Sequence, residues 1–211
     1  MTLQNRATPD GQIIATAARG TMMGNRGRLH DENRTVGRKR WAHKNWVACR
    51  LEFKGRRRQA MTPGRYTELF FLDEAVALAA GHRPCGECRH GDYRTFKTIW
   101  MDVLGAVKTS ATELDARLHD ERAIAYRFEQ RRHACELASL PDGAFALLND
   151  DPTTPYLVLG GKLLACAPNG YMAAWSRPAR MGVLALTPPT ICRVAAAGFR
   201  PALHPSAAEF V

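Results

Sequence analysis

The stretch that organises this chain reads Gly81-His82-Arg83-Pro84-Cys85-Gly86-Glu87-Cys88-Arg89. Its centre is a Cys-x-x-Cys pair that follows a proline. Two thiolates at this spacing can both face one soft or borderline cation. The stretch therefore predicts half of a metal site, with Cys85 and Cys88 as two of its ligands. Zinc is the metal that we expect there.

The residues on either side of this stretch predict two helices. Leu72 to Gly81 is rich in alanine, with Asp73 at the position of an N-cap and Gly81 suited to the left-handed conformation that ends a helix. A second helix is predicted from Glu87 to about Val103. The Cys-x-x-Cys pair is thus expected in the short connection between two helices.

Zinc needs more ligands than one pair of thiolates supplies. Cys49 is the best third ligand, because it lies on a predicted strand, Trp46 to Phe53, in a basic half of the chain where cysteine is scarce. His30 is our first choice for the fourth ligand. His43 and His82 remain alternatives.

Composition and cysteine usage limit the class of protein. A chain of 211 residues with 45% hydrophobic residues is long enough to bury a core. Its six cysteines are widely spaced, which is typical of a reducing compartment. No run of 18 apolar residues and no signal-peptide pattern occurs, so we expect a soluble, cytoplasmic protein.

Positive charge is concentrated in the first third of the chain. Of a net charge of +10, residues 1–65 carry 15 Lys and Arg against 4 Asp and Glu, whereas the remainder carries 15 against 16. Basic clusters interleaved with aromatic residues are typical of phosphate contact combined with base stacking. A solvated basic face is the alternative. The predicted nucleic-acid-binding residues are Arg38, Lys39, Arg40, Trp41, Lys44, Arg56, Arg57 and Arg58.

The overall pattern predicts an α+β fold in three parts. Residues 1–105 form a basic N-terminal region in which a β-ribbon, turning at Lys54-Gly55, is joined to the zinc module. Residues 106–138 are helical, with one long helix from Thr112 to Leu137. Residues 139–211 form a small β-rich unit, closed by a predicted helix from Pro189 to Ala197, that could complete the same globule. Glycines between Gly20 and Gly27 predict a loop there.

Residues 70–89 resemble the Ada-like zinc-binding modules, which occur in the Ada DNA-repair protein and in related nuclease and competence proteins. In these modules a short alanine-rich helix ends in glycine and is followed by Arg-Pro-Cys-x-x-Cys. The resemblance covers about residues 45–92. It implies zinc bound by Cys85, Cys88 and an upstream pair, with DNA as the partner. Cys49 matches the upstream cysteine by order only, and the second upstream cysteine that accepts a methyl group in the Ada protein is missing.

Two other functions fit parts of the pattern. His30-Asp31-Glu32 and Pro84-Cys85-x-x-Cys88 match the signature of zinc-dependent nucleobase deaminases, in which the glutamate transfers protons. The second alternative is a scaffold protein in which the zinc ion has a purely structural role. We favour a zinc protein that binds nucleic acid, with DNA as the expected partner, in repair or processing, and we assign no catalytic residue.

Overall fold

The structure is a computed structural model that describes residues 2–56 and 59–211. Over these residues the chain forms two six-stranded sheets, a two-stranded hairpin and four α-helices. The predicted α+β class is therefore confirmed.

The N-terminal sheet gathers six short strands from the first 84 residues, in the order β2-β1-β5-β3-β4-β6. Most neighbours are antiparallel, but β1 runs parallel to β5 and β4 runs parallel to β6. The strands are β1 (Gln4–Ala7), β2 (Ile13–Ala15), β3 (Met22–Asn25), β4 (Val47–Arg50), β5 (Leu69–Phe71) and β6 (Arg83–Pro84).

The prediction of a loop between Gly20 and Gly27 is wrong, because strand β3 lies within this segment. Met22 is buried in the core, and β3 lies between β4 and β5. Gly24 is needed there because a Cβ atom on it would lie 2.2 Å from the carbonyl oxygen of Val47. Gly24 therefore allows two strands to approach each other closely, and it does not form a turn.

The prediction of a β-ribbon that turns at Lys54-Gly55 is also wrong. Strand β4 pairs with β3 and β6, and none of the described residues between Leu51 and Met61 forms a strand. The segment after β4 is instead a loop, in which the carboxylate of Glu68 accepts a hydrogen bond from the amide of Met61 at 2.7 Å. Partners distant in sequence therefore replaced the local hairpin that the turn residues suggested.

Helix α1 (Glu74–Ala79) lies at the centre of the molecule, and all six of its residues are buried. Its ends confirm the sequence prediction. The side chain of Asp73 accepts a hydrogen bond from the amide of Val76, and Gly81 has a φ of +81°. The chain can therefore leave the helix in a left-handed turn and enter β6 directly.

Two longer helices follow, α2 (His90–Leu104) and α3 (Ala111–Arg122). The helix predicted from Thr112 to Leu137 is too long, because α3 ends at Arg122. The chain then forms a hairpin of β7 (Ala123–Ile124) and β8 (Glu129–Gln130), followed by β9 (His133–Glu136). Strand β9 pairs with a distant strand, so sheet formation overrode the helical pattern of this segment.

The C-terminal sheet is antiparallel, in the order β13-β12-β11-β10-β14-β9. Its further strands are β10 (Phe145–Leu148), β11 (Pro155–Leu159), β12 (Lys162–Ala167), β13 (Gly170–Ser176) and β14 (Gly182–Ala185). Helix α4 (Pro189–Ala196) closes the unit, in agreement with the predicted helix that begins at Pro189.

The largest hydrophobic core joins the two sheets. It contains Phe71 and Leu69 from β5, residues of α1, and Leu157 and Leu164 from the C-terminal sheet, all fully buried. Tyr171 adds a polar link, since its hydroxyl donates to Asp73 Oδ2 at 2.7 Å. Within the described residues, no helix is long and apolar enough to cross a membrane.

Candidate metal centre

The N-terminal sheet brings three cysteines together. Strand β4 exposes Cys49 on the face opposite Ala48, which is fully buried. Strand β6 runs beside β4, and the amide of Cys85 donates to the carbonyl of Ala48 at 2.9 Å. This bond places Cys85 next to Cys49, and the turn into α2 then returns Cys88 to the same point.

The three sulfur atoms are close enough to share one ion. Their Sγ atoms all lie within 4.8 Å of one another. A tetrahedral zinc ion with Zn–S bonds of about 2.3 Å would hold its sulfurs about 3.8 Å apart. The observed limit of 4.8 Å is compatible with that spacing. The predicted thiol ligands Cys49, Cys85 and Cys88 therefore form a possible metal-binding cluster.

Backbone amides favour negative charge on these sulfurs. The amides of Glu87 and Cys88 both donate to the sulfur of Cys85, the first at 3.4 Å. The amide of Arg50 donates to Cys88. Such N–H···S bonds stabilise a thiolate without occupying the lone pair that a metal ion would use. The turn is therefore prepared for a metal-bound thiolate.

The thiols also interact with one another. A hydrogen bond from Cys49, together with those two amides, lowers the pKa of Cys85 to about 5. The same hydrogen bond raises the pKa of Cys49, and burial raises that of Cys88. These opposite shifts favour placing the first negative charge of the coupled thiols on Cys85. A bound cation would supply the charge needed to deprotonate the other two.

His30 does not belong to this group of described residues. Its Nδ1 atom lies 2.7 Å from the hydroxyl of Thr67, and its Nε2 atom lies 3.2 Å from the carbonyl oxygen of Thr62. Both ring nitrogens are thus occupied in holding the loop after β4. The fourth-ligand prediction for His30 is not supported by this geometry.

The two alternative histidines are engaged elsewhere as well. His43 is exposed, and its Nδ1 accepts a hydrogen bond from the amide of Asn45. His82 is fully buried against Phe71 and Trp46, and burial holds its pKa well below the usual value. Across residues 2–56 and 59–211, no His, Asp or Glu side chain joins the three sulfurs at the same spacing.

The deaminase constellation is not assembled. It requires His30 beside Cys85 and Cys88, but the third member of the cluster is Cys49. Glu32, the proposed proton carrier, is exposed in a tight loop whose turn is capped by the carboxylate of Asp31. A donor set of three sulfurs also makes zinc a weaker Lewis acid than a histidine-containing set does, since thiolates donate more charge to the metal.

The predicted nucleic-acid-binding residues occupy different environments. Arg38, Lys39 and Lys44 are exposed. Arg40 is half-buried and donates to the carbonyl of Gly37. These side chains lie on the long loop between β3 and β4.

Trp41, by contrast, packs inside an aromatic cluster. Its ring lies 5.5 Å from Trp46, 5.5 Å from His119 and 5.1 Å from Phe128, measured between centroids. These contacts are those of a packing residue and leave less of the ring for stacking on a base. Trp46 is buried further, between the guanidinium groups of Arg26 and Arg122, at 4.3 and 4.0 Å from its ring.

Arg56 lies beside the cysteine cluster. Its guanidinium forms an exposed ion pair with Glu87, at 2.7 Å, between the two cysteines of the Cys-x-x-Cys pair. The other two arginines predicted with it, Arg57 and Arg58, lie outside the described residues. Sequence reasoning missed the pairing of Arg56 with Glu87, for which no local signal exists because the two residues are 31 positions apart.

The amide donors of the cluster were also missed, although one signal was present. A Cys-x-x-Cys turn commonly directs the amides that follow its first cysteine toward that sulfur. The donor from Arg50 could not be foreseen, because it depends on how β4 lies against the turn.

Taken together, the arrangement can bind one soft or borderline cation between β4 and the start of α2. No protein-family model, curated protein or solved structure matches the chain.

Proposed function

We propose that the chain is a zinc protein in which Cys49, Cys85 and Cys88 hold the ion. The observation that carries the proposal is the convergence of three sulfurs within 4.8 Å of one another. Zinc fits this donor set because it accepts thiolate ligands in tetrahedral geometry and needs no redox chemistry. The amides that point at Cys85 and Cys88 support the same assignment.

The zinc ion would act as a structural cross-link. Cys49 belongs to β4, whereas Cys85 and Cys88 belong to the turn between β6 and α2. Strands β4 and β6 pair over only two residues, so this edge of the sheet has few backbone bonds of its own. When bound, the ion supplies folding free energy to this edge.

We further propose that the basic N-terminal region contacts nucleic acid, with DNA as the preferred partner. The support is the charge excess of residues 1–65, the exposure of Arg38, Lys39 and Lys44, and the resemblance of residues 45–92 to Ada-like modules. Exposed lysine and arginine side chains bind phosphates by releasing counterions. This mode of binding requires no aromatic stacking, which agrees with the buried position of Trp46.

Metal content tests the first proposal. The full chain, purified without added metal chelators, is expected to contain one zinc ion per chain by elemental analysis. The variants Cys49→Ser, Cys85→Ser and Cys88→Ser should each lower that content, because each removes one of three sulfur ligands. Cys192→Ser is the matched control, since Cys192 lies on α4 and is half-buried. A metal-free, folded protein would overturn the zinc assignment.

Salt-dependent binding tests the second proposal. Fluorescence anisotropy with a labelled DNA duplex should show an affinity that falls steeply with salt, by about 0.9 logarithmic units per phosphate contact for each tenfold rise in salt. The triple variant Arg38→Gln, Lys39→Gln and Lys44→Gln should weaken binding and reduce this slope. RNA of the same length provides the comparison that tests the preference for DNA.

A matched triple variant separates local contact from net charge. Arg94→Gln, Lys108→Gln and Arg180→Gln remove the same number of exposed positive charges outside residues 1–65. Binding in this control should stay close to that of the unchanged protein. Equal loss of binding in the two triple variants would show that total charge, and not this surface, is responsible.

A further inference from the structure

A cavity of about 300 Å³ lies between the two sheets, away from the cysteine cluster. Its walls come from β1 and the turn after it, from β5, from the loop before β11 and from the end of β12. Pockets for small molecules begin at about this volume. None of the contacts of the metal centre uses these residues, so the cavity needs an explanation of its own.

Most of the cavity wall is apolar. Phe70, Leu72, Val76 and Ile14 supply side chains from the N-terminal half, and Pro155 lines it from the C-terminal half. A space of this size can hold a small molecule and not only a single water molecule. An occupant of this size with an apolar body would match the wall.

Arg6 provides the positive charge of the wall. Its Nε atom donates to the carbonyl of Ala18 at 2.7 Å, and its Nη1 atom donates to Asn5 Oδ1 at 2.6 Å. The guanidinium carbon also lies 4.7 Å from the centre of the Phe70 ring. These three contacts fix the orientation of the side chain before any ligand arrives.

This fixed arginine has no carboxylate partner among the described residues. Burial and the nearby charge of Arg19 lower its pKa, which means that its positive charge is poorly compensated. Such an arginine binds an anion favourably. Its planar donors match a carboxylate, and the surrounding low-dielectric wall strengthens the attraction.

Asp10 also lines the cavity, and its charge opposes that of Arg6. Its carboxylate accepts a hydrogen bond from the hydroxyl of Thr8, at the rim formed by the turn after β1. The acidic group is therefore already partnered within its own turn, whereas the guanidinium is partnered only by neutral oxygens. The positive charge of Arg6 is therefore less well compensated than the negative charge of Asp10.

We propose that this cavity binds a small, mainly apolar carboxylate, with its acidic group on Arg6 and its apolar body between Phe70, Val76 and Pro155. The inference is independent of the zinc and nucleic-acid proposals, because it uses neither the cysteine cluster nor the loop between β3 and β4. The proposed ligand is a free acid, because an ester has no anionic group to place on Arg6. The choice of probes separates the two.

Isothermal titration calorimetry on the full chain tests the proposal with octanoate, which has ten non-hydrogen atoms. Methyl octanoate has the same apolar body without the charge, and acetate has the charge without the body. Octanoate is expected to bind at least about tenfold more tightly than methyl octanoate, because a charge-assisted pair with arginine is lost in the ester. Acetate should not bind measurably. Equal affinity for acid and ester, or no binding of octanoate, would overturn the proposal.

Variants locate the site. Arg6→Gln should weaken octanoate about tenfold and leave methyl octanoate unchanged. Ala167→Phe, at a half-buried position of the wall, should fill the cavity and weaken both probes. Arg28→Gln removes an exposed arginine outside the cavity and is the matched control.

Asp10→Asn provides a second test that does not depend on removing the arginine. Loss of the opposing charge should make octanoate bind more tightly. Weaker or unchanged binding in this variant would contradict the charge argument, and the proposal would be wrong. Circular dichroism and thermal unfolding of each variant confirm that the fold is retained before the affinities are compared.

Discussion

In the C-terminal sheet, β12 and β13 pair over six residues, whereas in the N-terminal sheet β4 and β6 pair over two and β1 and β5 over one. The C-terminal sheet also forms from strands that follow one another in sequence from β10 to β13. In the N-terminal sheet only β1 and β2 are joined by a short turn, and every other pair of neighbouring strands is separated by a long segment of chain. One region is built on continuous backbone ladders, and the other has few of them.

The N-terminal region compensates with specific side-chain bonds. Buried Arg83 forms two hydrogen bonds with Asp115 of α3, and buried Arg89 pairs with Glu74 of α1. The three cysteines converge at the same edge of the sheet. The comparison teaches that a sheet with short ladders can be held by a few polar contacts, each of which is then costly to lose.

The largest difference between the two regions should follow removal of Cys85, a proposed metal ligand. In Cys85→Ser we expect loss of the ion and a fall of more than about 3 kcal/mol in the free energy of unfolding, because metal-binding energy is folding energy in such sites. Hydrogen exchange should speed up most in β4 and β6 and least in β11 and β12. Equal acceleration in the two sheets would contradict the proposed local role of the ion.

The buried ion pair between Arg83 and Asp115 should have the next largest effect. Asp115→Ala leaves the guanidinium of Arg83 buried without its partner, with an expected cost of about 3–5 kcal/mol by urea denaturation. The double variant Arg83→Met, Asp115→Leu should recover much of that loss, since it removes both charges.

An exposed pair serves as the control for this prediction. Arg56→Ala breaks the ion pair with Glu87, whose members are both largely exposed to water. Its effect on the free energy of unfolding should be small, because water screens exposed pairs. A similar loss in Asp115→Ala and Arg56→Ala would mean that burial does not set the difference.

The bond that joins the two regions should have a smaller effect than either of the two buried changes above. Tyr171→Phe removes the hydroxyl that donates to Asp73 and should cost about 1–2 kcal/mol. Asp73 keeps its hydrogen bonds from the amides of Val76 and His204, so the cap of α1 survives. Chemical denaturation of the variant measures the cost.

The cost of Tyr171→Phe should also depend on pH. Burial raises the pKa of Asp73, and the hydroxyl of Tyr171 opposes that rise by stabilising the ionised carboxylate. A carboxyl group whose pKa is raised on folding adds stability as the pH falls, because protonation is favoured in the folded state. The difference between the two proteins should therefore be larger at neutral pH than at acidic pH. A larger difference in acid would contradict this account.

Features that depend on neighbouring residues were predicted well. The cap at Asp73, the left-handed turn at Gly81 and the start of α4 at Pro189 all agree with the structure. The Cys-x-x-Cys pair and Cys49 were also selected correctly as members of one cluster. Caps, turns and chelating pairs are set by residues a few positions apart, which a sequence displays directly.

Features that depend on residues distant in sequence were not predicted well. Met22 to Asn25 has the composition of a turn, but β4 and β5 lie on either side of it and complete its hydrogen bonds. The segment after Arg122 has a helical pattern, yet β9 pairs with β14. His30 was expected at the metal and instead bonds Thr67, a residue 37 positions away.

By itself, the sequence determined the α+β class, the two helices around the Cys-x-x-Cys pair, the three cysteines of the cluster and the concentration of positive charge before residue 66. Only the tertiary structure decided which strands pair, which histidines are free of the cluster, that Trp46 is enclosed by two arginines, and that a cavity opens beside Arg6. The physical reason is one of range. Local propensity and chelate spacing act within a few residues, whereas strand pairing, burial and uncompensated charge are set by residues that meet only after the chain has folded.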